Sequence, residues 1–272
     1  MDVDLRLVQR LEATSATASL DLIRGIQSLD PSTVAESCEF GAGALIAMGP
    51  GRYVNRAIGV TTEELSGADV DTIEQYFGER NLPSMIELSS WAPNPTLAEL
   101  AQRGYVPKWF RSVYALTPTL TFATSRAGLR IETVGDVDEA RWLDVFARGF
   151  EAEEGEVRVA NDEIGRASRI APNAHTFLAF IDDDVVGCGS VQFVDGIAWL
   201  GGAATIPEFR QRGVQAALVA HRLGVAAEAG CELAAVSALS NGPSARNIVR
   251  LGFQHIHTQV VVERRSRDVS AR

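Results

Sequence analysis

The hydrophobic pattern in the second half of the chain alternates between runs typical of strands and runs typical of helices. The clearest helical run covers 214–229, and Gly230 follows it, as is common after a helix C-terminus. Shorter helical patterns cover 163–170 and 244–251. Strand-like runs cover 175–182, 185–193, 197–206, 233–238 and 255–263. This alternation predicts a mixed α/β sheet.

The first half repeats the last part of this order. A strand at 85–89, a helix at 96–103 and a strand at 106–114 match the strand, helix and final turn of 233–253. Gly104 and Gly252 lie 148 positions apart (252 − 104 = 148), and the match needs no gap. An internal duplication explains this similarity. Chance similarity between two strand–helix–strand segments is the alternative.

A segment rich in Thr and Ser, 115–128, separates the two halves and lacks helical periodicity. We therefore predict an N-terminal domain at 1–120, a linker at 121–128 and a C-terminal domain at 129–272.

Composition excludes several classes of function. The chain has 25 basic and 35 acidic residues, a net charge of −10, which argues against a nucleic-acid partner. No apolar run approaches the roughly 18 residues that span a bilayer, and the N-terminus lacks a signal-peptide pattern. Three scattered cysteines fit neither a disulfide framework nor a metal cage. These features predict a cytoplasmic protein with no membrane and no metal site.

A candidate phosphate-binding loop connects the strand that ends at Ile206 to the helix that begins at Val214. The N-terminus of a helix carries backbone N–H groups without helical acceptors and the positive end of the dipole. Gly213 removes a side chain there and permits an unusual φ, and Arg210 and Arg212 add cationic donors. The pattern predicts a pyrophosphate cradle. An ordinary glycine turn with solvated arginines is the alternative.

Two motifs carry a resemblance to a known family. The run Ile-Pro-Glu-Phe-Arg-Gln-Arg-Gly-Val-Gln-Ala-Ala-Leu from Ile206 resembles the signature of GNAT N-acetyltransferases, in which Arg/Gln-x-x-Gly-x-Gly/Ala follows a Pro-Glu turn. Gln215 stands where that family usually has Gly or Ala. The run Asn-Gly-Pro-Ser-Ala-Arg-Asn-Ile-Val-Arg-Leu-Gly-Phe from Asn241 resembles the family's second segment. The resemblance covers about half the chain.

The resemblance implies tandem GNAT-like domains in a mixed α/β fold, of which the first is degenerate. In the second, the strand that ends at Ile206 is expected to splay from the strand at 233–237 and to form an acyl-CoA cleft. The residues implied to bind acetyl-CoA are Ala204, Thr205, Ile206, Arg210, Gln211, Arg212, Gly213, Val214, Gln215, Ala216, Ala217, Asn241, Ser244 and Asn247.

The implied reaction is acetyl transfer from the thioester to a primary amine by direct attack. A backbone N–H near Thr205 is the expected oxyanion donor. Ile248 stands where the family usually has a tyrosine as general acid, so Ser244, Asn241 or a water takes that place. The Ile248 departure leaves two alternatives: a non-catalytic acyl-CoA-binding sensor or scaffold, and a protein that binds a partner through its first half.

The acceptor side is predicted from an acidic segment after Phe150. Glu151, Glu153 and Glu154 form a carboxylate cluster that would hold a cationic amine, a small molecule or a peptide amine. A solvated acidic turn is the alternative. The chain is expected to be a monomer or a homodimer.

The first half has no equivalent phosphate loop. The segment 60–70 occupies that place, yet it carries acidic residues and no basic one. Acidic side chains repel a pyrophosphate. We therefore expect the first half to shape the acceptor cleft or to complete the sheet rather than to bind CoA.

Overall fold

A computed structural model of the chain describes residues 1–119, 128–135, 138–151 and 154–265. Its strands are β1 Glu36–Phe40, β2 Gly43–Ala47, β3 Arg56–Ile58, β4 Met85–Ser89, β5 Tyr105–Leu116, β6 Leu129–Thr133, β7 Ala174–Ile181, β8 Asp184–Val194, β9 Ile197–Thr205, β10 Leu233–Leu239 and β11 Gln254–Arg264. Its helices are α1 Leu5–Leu29, α2 Gly67–Gly78, α3 Asn94–Gln102, α4 Glu139–Gly149, α5 Gly155–Ile170, α6 Val214–Glu228 and α7 Pro243–Arg250.

The strands form one mixed sheet in which the two halves exchange their last strands. The order is β1-β2-β3-β4-β11-β5-β10-β9-β8-β7-β6. Strand β5 of the first half therefore lies between β10 and β11, and β11 lies between β4 and β5. The predicted mixed α/β fold is confirmed, and β4, α3 and β5 repeat the order of β10, α7 and β11. Most of the predicted linker, residues 121–127, lies outside the described residues, so the division into domains stays a prediction.

Helices cover both faces of the sheet. Helices α6 and α7 pack over Ala198 and Leu200 of β9, and we call this side the α6 face. Helix α1 packs over Ile197 on the same strand, on the side that we call the α1 face. Because successive strand residues point to opposite faces, β9 separates these two layers. The α1 face also carries α4 and α5.

Helix α1 joins the two halves on the α1 face. Its N-cap residue Asp4 accepts a hydrogen bond from Leu7 N, as is typical of helix starts. Its apolar residues contact strands of both halves, including Ile46 of β2 and Ala235 of β10. Gly25 lies against Ala167 of α5 so closely that an added Cβ would stand 3.3 Å from the Ala167 Cβ.

The helix predicted at 163–170 begins earlier, at Gly155. Its first turns are rich in charged residues, which hides the helical period in the sequence. Ala160, Ile164 and Ala167 nevertheless form a buried stripe at helical spacing. The prediction was therefore wrong about where this helix starts.

Candidate functional site

Strands β9 and β10 separate after their first three paired residues. They pair in parallel at three positions, Ile197 with Leu233, Ala198 with Ala234 and Trp199 with Ala235. Beyond these, β9 continues to Thr205 and β10 to Leu239 without a further paired position in the described chain. The predicted separation of the two strands is confirmed. This separation leaves an opening in the sheet between residues 200–205 of β9 and residues 236–239 of β10. The opening connects the α6 face to the α1 face.

A β-bulge bends β9 away from β10. Strand β9 stays paired with β8, but the register shifts between Ser190–Gly201 and Cys188–Ala204. Two residues of β9 therefore lie opposite one residue of β8, the arrangement of a bulge. One of them, Gly202, has φ +51°, a backbone conformation that favours glycine.

Above the bulge, the backbone of β9 presents a donor to the opening. Ile206 N donates to Val186 O of β8 at 3.1 Å. N–H groups of successive residues on a strand point to opposite sides. The N–H of Thr205 therefore points away from β8, toward the opening, where the sequence predicts an oxyanion donor.

Arg222 of α6 binds backbone carbonyls of the bulge from the α6 face. The sequence did not lead us to predict this residue. Its Nη1 donates to Ser190 O at 2.9 Å and to Gly201 O at 3.2 Å, and its Nε donates to Leu218 O at 3.0 Å. The side chain is buried, which lowers the pKa of Arg222 to about 10, so it remains a cation at neutral pH. An added Cβ on Gly189 would lie 3.2 Å from its Cζ. An arginine among apolar helix positions was the available signal.

Replacing Arg222 by methionine is expected to destabilise the fold by about 2 kcal/mol, because buried carbonyls lose their donor. Arg6→Met, at an exposed position of α1, is the matched control and is expected to change little. The measurement is the urea midpoint of each variant. Equal midpoints for the two variants would contradict the role of Arg222 at the bulge.

The loop between β9 and α6 has the backbone geometry of an anion cradle. Gln211 and Gly213 have φ +65° and +81°, and Gly213 is the N-cap of α6. The first helical bond joins Ala217 N to Gly213 O at 3.0 Å. The N–H groups before Ala217 therefore lack helical acceptors and lie at the positive end of the dipole. A glycine-lined helix start of this kind fits a pyrophosphate.

Arg210, predicted to contact phosphate, is bound to the end of α4. Its Nη1 lies 2.7 Å from Glu151 Oε1, its Nη2 donates to Gly149 O at 3.1 Å, and its Nε donates to Thr205 O at 3.3 Å. Arg210 thus links the loop to β9 and α4. The structure brings together Arg210, expected on the cofactor side, and Glu151, expected on the acceptor side.

Gln215 links the start of α6 to α7. Its Nε2 donates to Ser244 Oγ at 2.9 Å, and its Oε1 accepts from Asn247 Nδ2 at 2.6 Å. Asn241 lies in the turn before α7, where its carbonyl accepts from Arg246. Three residues implied to bind the cofactor, Gln215, Ser244 and Asn247, are therefore in contact.

The predicted acidic cluster lies partly outside the described residues, and its role in binding an amine stays a prediction. Glu151 is paired with Arg210, Glu154 lines a groove with Arg52 and Arg158, and Glu153 lies outside the described residues. Within the described ranges, no group of three His, Cys, Asp or Glu side chains is placed to hold a metal ion. None of the helices described is both long and apolar enough to cross a bilayer.

Residues 138–253 match the model of the Acetyltransferase (GNAT) family. These residues form a GNAT-family domain. They contain the opening, the bulge and the loop before α6. No curated protein matches the chain.

Solved structures match beyond the GNAT domain. A GCN5-related N-acetyltransferase from Kribbella flavida is 20% identical, with a TM-score of 0.67 over 95% of this chain and 97% of that one. One from Sphaerobacter thermophilus is 21% identical, with a TM-score of 0.59 over 73% and 68%. A tandem GNAT protein from the clavulanic acid biosynthesis pathway is 14% identical, with a TM-score of 0.60 over 91% and 89%. The expected tandem GNAT fold is confirmed.

The first half differs from the GNAT domain at its equivalent helix start. Helix α2 is closed by a capping box, in which Ser66 and Asp69 bond each other's backbone N–H groups. Asp69 also brings a negative charge to the end where the GNAT domain has Gly213. This capping agrees with the expectation that the first half does not bind CoA, which stays a prediction.

Proposed function

We propose that the GNAT domain is an acetyl-CoA-dependent N-acetyltransferase that acts on a primary amine by direct attack. The observation that carries this proposal is the opening between β9 and β10 beside the glycine-capped start of α6. A phosphate cradle and a gap in the sheet, side by side, suit a ligand with a diphosphate and a long, narrow arm.

Binding would use mostly backbone groups. The N–H groups from Gln211 to Ala217 would hold the pyrophosphate at the start of α6. The backbone edge of Ala204–Ile206 would pair with the pantetheine arm. Gln215, tied to Ser244 and Asn247, would fix α7 along the other side of the arm. Because these groups are already held in place, little ordering is needed when the ligand binds.

The chemistry needs a donor for the oxyanion and an exit for the thiolate. The amine nitrogen forms a bond to the thioester carbon, the C–S bond breaks, and the amine loses its proton to solvent. The Thr205 N–H would donate to the oxyanion, a contact worth about 3 kcal/mol in a measured case. A thiol has a pKa near 8.5, so the thiolate leaves with only a small penalty. Ser244 or Asn241 would act as the proton donor, a role that Ile248 cannot fill.

A non-catalytic acyl-CoA sensor is the second candidate. Ile248 has no phenol to donate a proton, and its side chain is buried among apolar residues of α6 and α7. A general acid commonly contributes about 10²- to 10⁴-fold to a rate, and its absence favours binding without turnover.

Thiol release from acetyl-CoA separates these candidates. The transferase is expected to release thiol only when an amine is present, and the amine should gain one acetyl group by mass. Calorimetric binding of acetyl-CoA without acetylation of any amine would contradict the transferase and support the sensor.

A further inference from the structure

The opening leads from the loop before α6 to the α1 face. Because the coenzyme would enter beside the start of α6, on the α6 face, an amine acceptor would reach the thioester from the other side of the sheet, the α1 face. Residues on that face beside the opening are therefore candidates for acceptor recognition. This step rests on the proposed function.

Strand pairing places Arg111 beside the opening. Ser237 of β10 is opposite Val113 of β5, and Leu239 is opposite Arg111. Val113 packs under α1 together with Ala235. Alternation along the two strands puts Ser237 and Arg111 on this same face. Ser237 comes two residues after Ala235, the last residue of β10 that pairs with β9.

The side chains of Arg111 and Ser237 are in contact at this position. Arg111 Nη2 donates to Ser237 Oγ. The guanidinium of the first half thus reaches across to the strand that borders the opening. Strand β5, which carries Arg111, lies one strand spacing, about 5 Å, beyond that strand.

Among the described residues, the guanidinium of Arg111 forms an ion pair with Glu87, which it shares with Arg56. Its Nη1 lies 3.4 Å from Glu87 Oε2, and the same oxygen accepts from Arg56 Nε at 2.8 Å. Arg56 and Glu87 are buried, with 5% and 1% of their side chains exposed, whereas Arg111 keeps 23%. A guanidinium has five N–H donors. Among the described residues, Arg56 makes the shorter bond to Glu87. Arg111 therefore keeps N–H donors on its exposed side.

We propose that Arg111, with Ser237, binds a carboxylate of the acceptor. The acceptor would then be an amine that also carries a carboxylate, about 5–10 Å from the reacting nitrogen, or one to two strand spacings. A short peptide with a free C-terminus, or an ω-amino acid, has this separation. A single planar guanidinium binds a carboxylate through two parallel bonds.

The proposal gives the first half a task in the reaction. Arg111, Glu87 and Arg56 all belong to the first half, yet the exchanged strand β5 brings them next to β10. It also agrees with the state of Glu151, which is paired with Arg210 rather than directed at an amine.

The test uses pairs of acceptors that differ only in the carboxylate: a peptide with a free C-terminus against its C-terminal amide, and an ω-amino acid against the matching alkylamine. For the native protein, kcat/KM is expected to be about 10- to 100-fold higher for the carboxylate of each pair. Arg111→Met should bring the ratio close to one, and Arg111→Lys should give an intermediate ratio. Neither should change the Kd of acetyl-CoA, and the loss of kcat/KM should fall mainly on the carboxylate of each pair.

Arg130→Met, an arginine of the distant edge strand β6, is the control and should keep the full ratio. Arg111→Lys retains the charge beside Glu87, so it tests the proposal if Arg111→Met fails to fold. A native ratio near one, or a ratio that survives both Arg111 substitutions, would overturn the proposal. A preference for a phosphorylated amine over its carboxylated counterpart would overturn the choice of carboxylate.

Failure of the proposed function has a different appearance. If no acceptor is acetylated, calorimetry with the same peptide pairs in the presence of CoA decides the question. Tighter binding of the free C-terminus, lost in Arg111→Met, upholds the carboxylate site without turnover. Equal binding of the two peptides overturns it.

Discussion

Thr205→Pro is expected to lower kcat about 100- to 1000-fold, because it removes the proposed oxyanion donor. Proline removes the N–H of Thr205, which points toward the opening, together with the side-chain hydroxyl. The neighbouring bond from Ile206 N to Val186 O at 3.1 Å stays in place. The substitution therefore takes away a donor without removing a bond between β8 and β9. Steady-state kinetics with acetyl-CoA and an active amine measure the change.

Thr205→Val is the matched control for this prediction. Valine keeps the N–H and the branched shape and loses only the hydroxyl, so its kcat is expected to stay near the native value. The Kd of coenzyme A, measured by calorimetry, should be nearly unchanged in both variants. A kcat of Thr205→Pro close to native, in a folded protein that binds the coenzyme, would show that this N–H is not the donor. Equal losses in both variants would point to the hydroxyl instead.

Gly213→Glu is expected to weaken coenzyme binding by about 100-fold or more. This corresponds to about 3 kcal/mol of binding free energy, because each tenfold change in Kd is worth about 1.4 kcal/mol. Gly213 has φ +81° at the N-cap of α6. A glutamate there would place its carboxylate among the N–H groups that the pyrophosphate needs, and it would repel the ligand's charge. The measurement is the Kd of coenzyme A by calorimetry.

Gly230→Glu separates this effect from strain. Gly230 follows the other end of α6 with φ +73°, and an added Cβ would meet no atom within 4 Å. Both substitutions force a non-glycine residue into the left-handed region, at about 1–2 kcal/mol each, so their losses of stability should be similar. Only Gly213→Glu should lose the coenzyme. A folded Gly213→Glu protein with native affinity would remove the basis of the proposed function.

Local features near the loop were predictable from sequence. Gly213 lies between an apolar strand and a long helix with a clear period, and a turn of this kind requires a positive φ at a particular residue. Such information lies within a few neighbouring residues. The structure confirms the strand, the turn and the helix, while the binding role of these residues stays a prediction.

Side-chain partners across the fold were not predictable in the same way. Glu151 lies in an acidic run, which suggested an amine site, but the structure pairs it with Arg210, 59 residues away in sequence. In the sequence, Arg222 is one polar position in an apolar helix. Its role is visible only when β8 and β9, whose carbonyls it binds, are in place. These partners depend on how distant segments pack, and hydrophobic periodicity carries no record of that.

The sequence by itself determined strands β7 to β11 and helices α6 and α7 of the second half, the repeat in the first half, and the turn around Gly213. Only the tertiary structure showed that β5 and β11 are exchanged between the halves and that β5 brings Arg111 beside the opening. The physical reason is the range of the interactions. Turn geometry and helical period are set by adjacent residues, whereas strand order is set by contacts between residues far apart in the chain, such as Ser237 and Arg111, which are 126 positions apart.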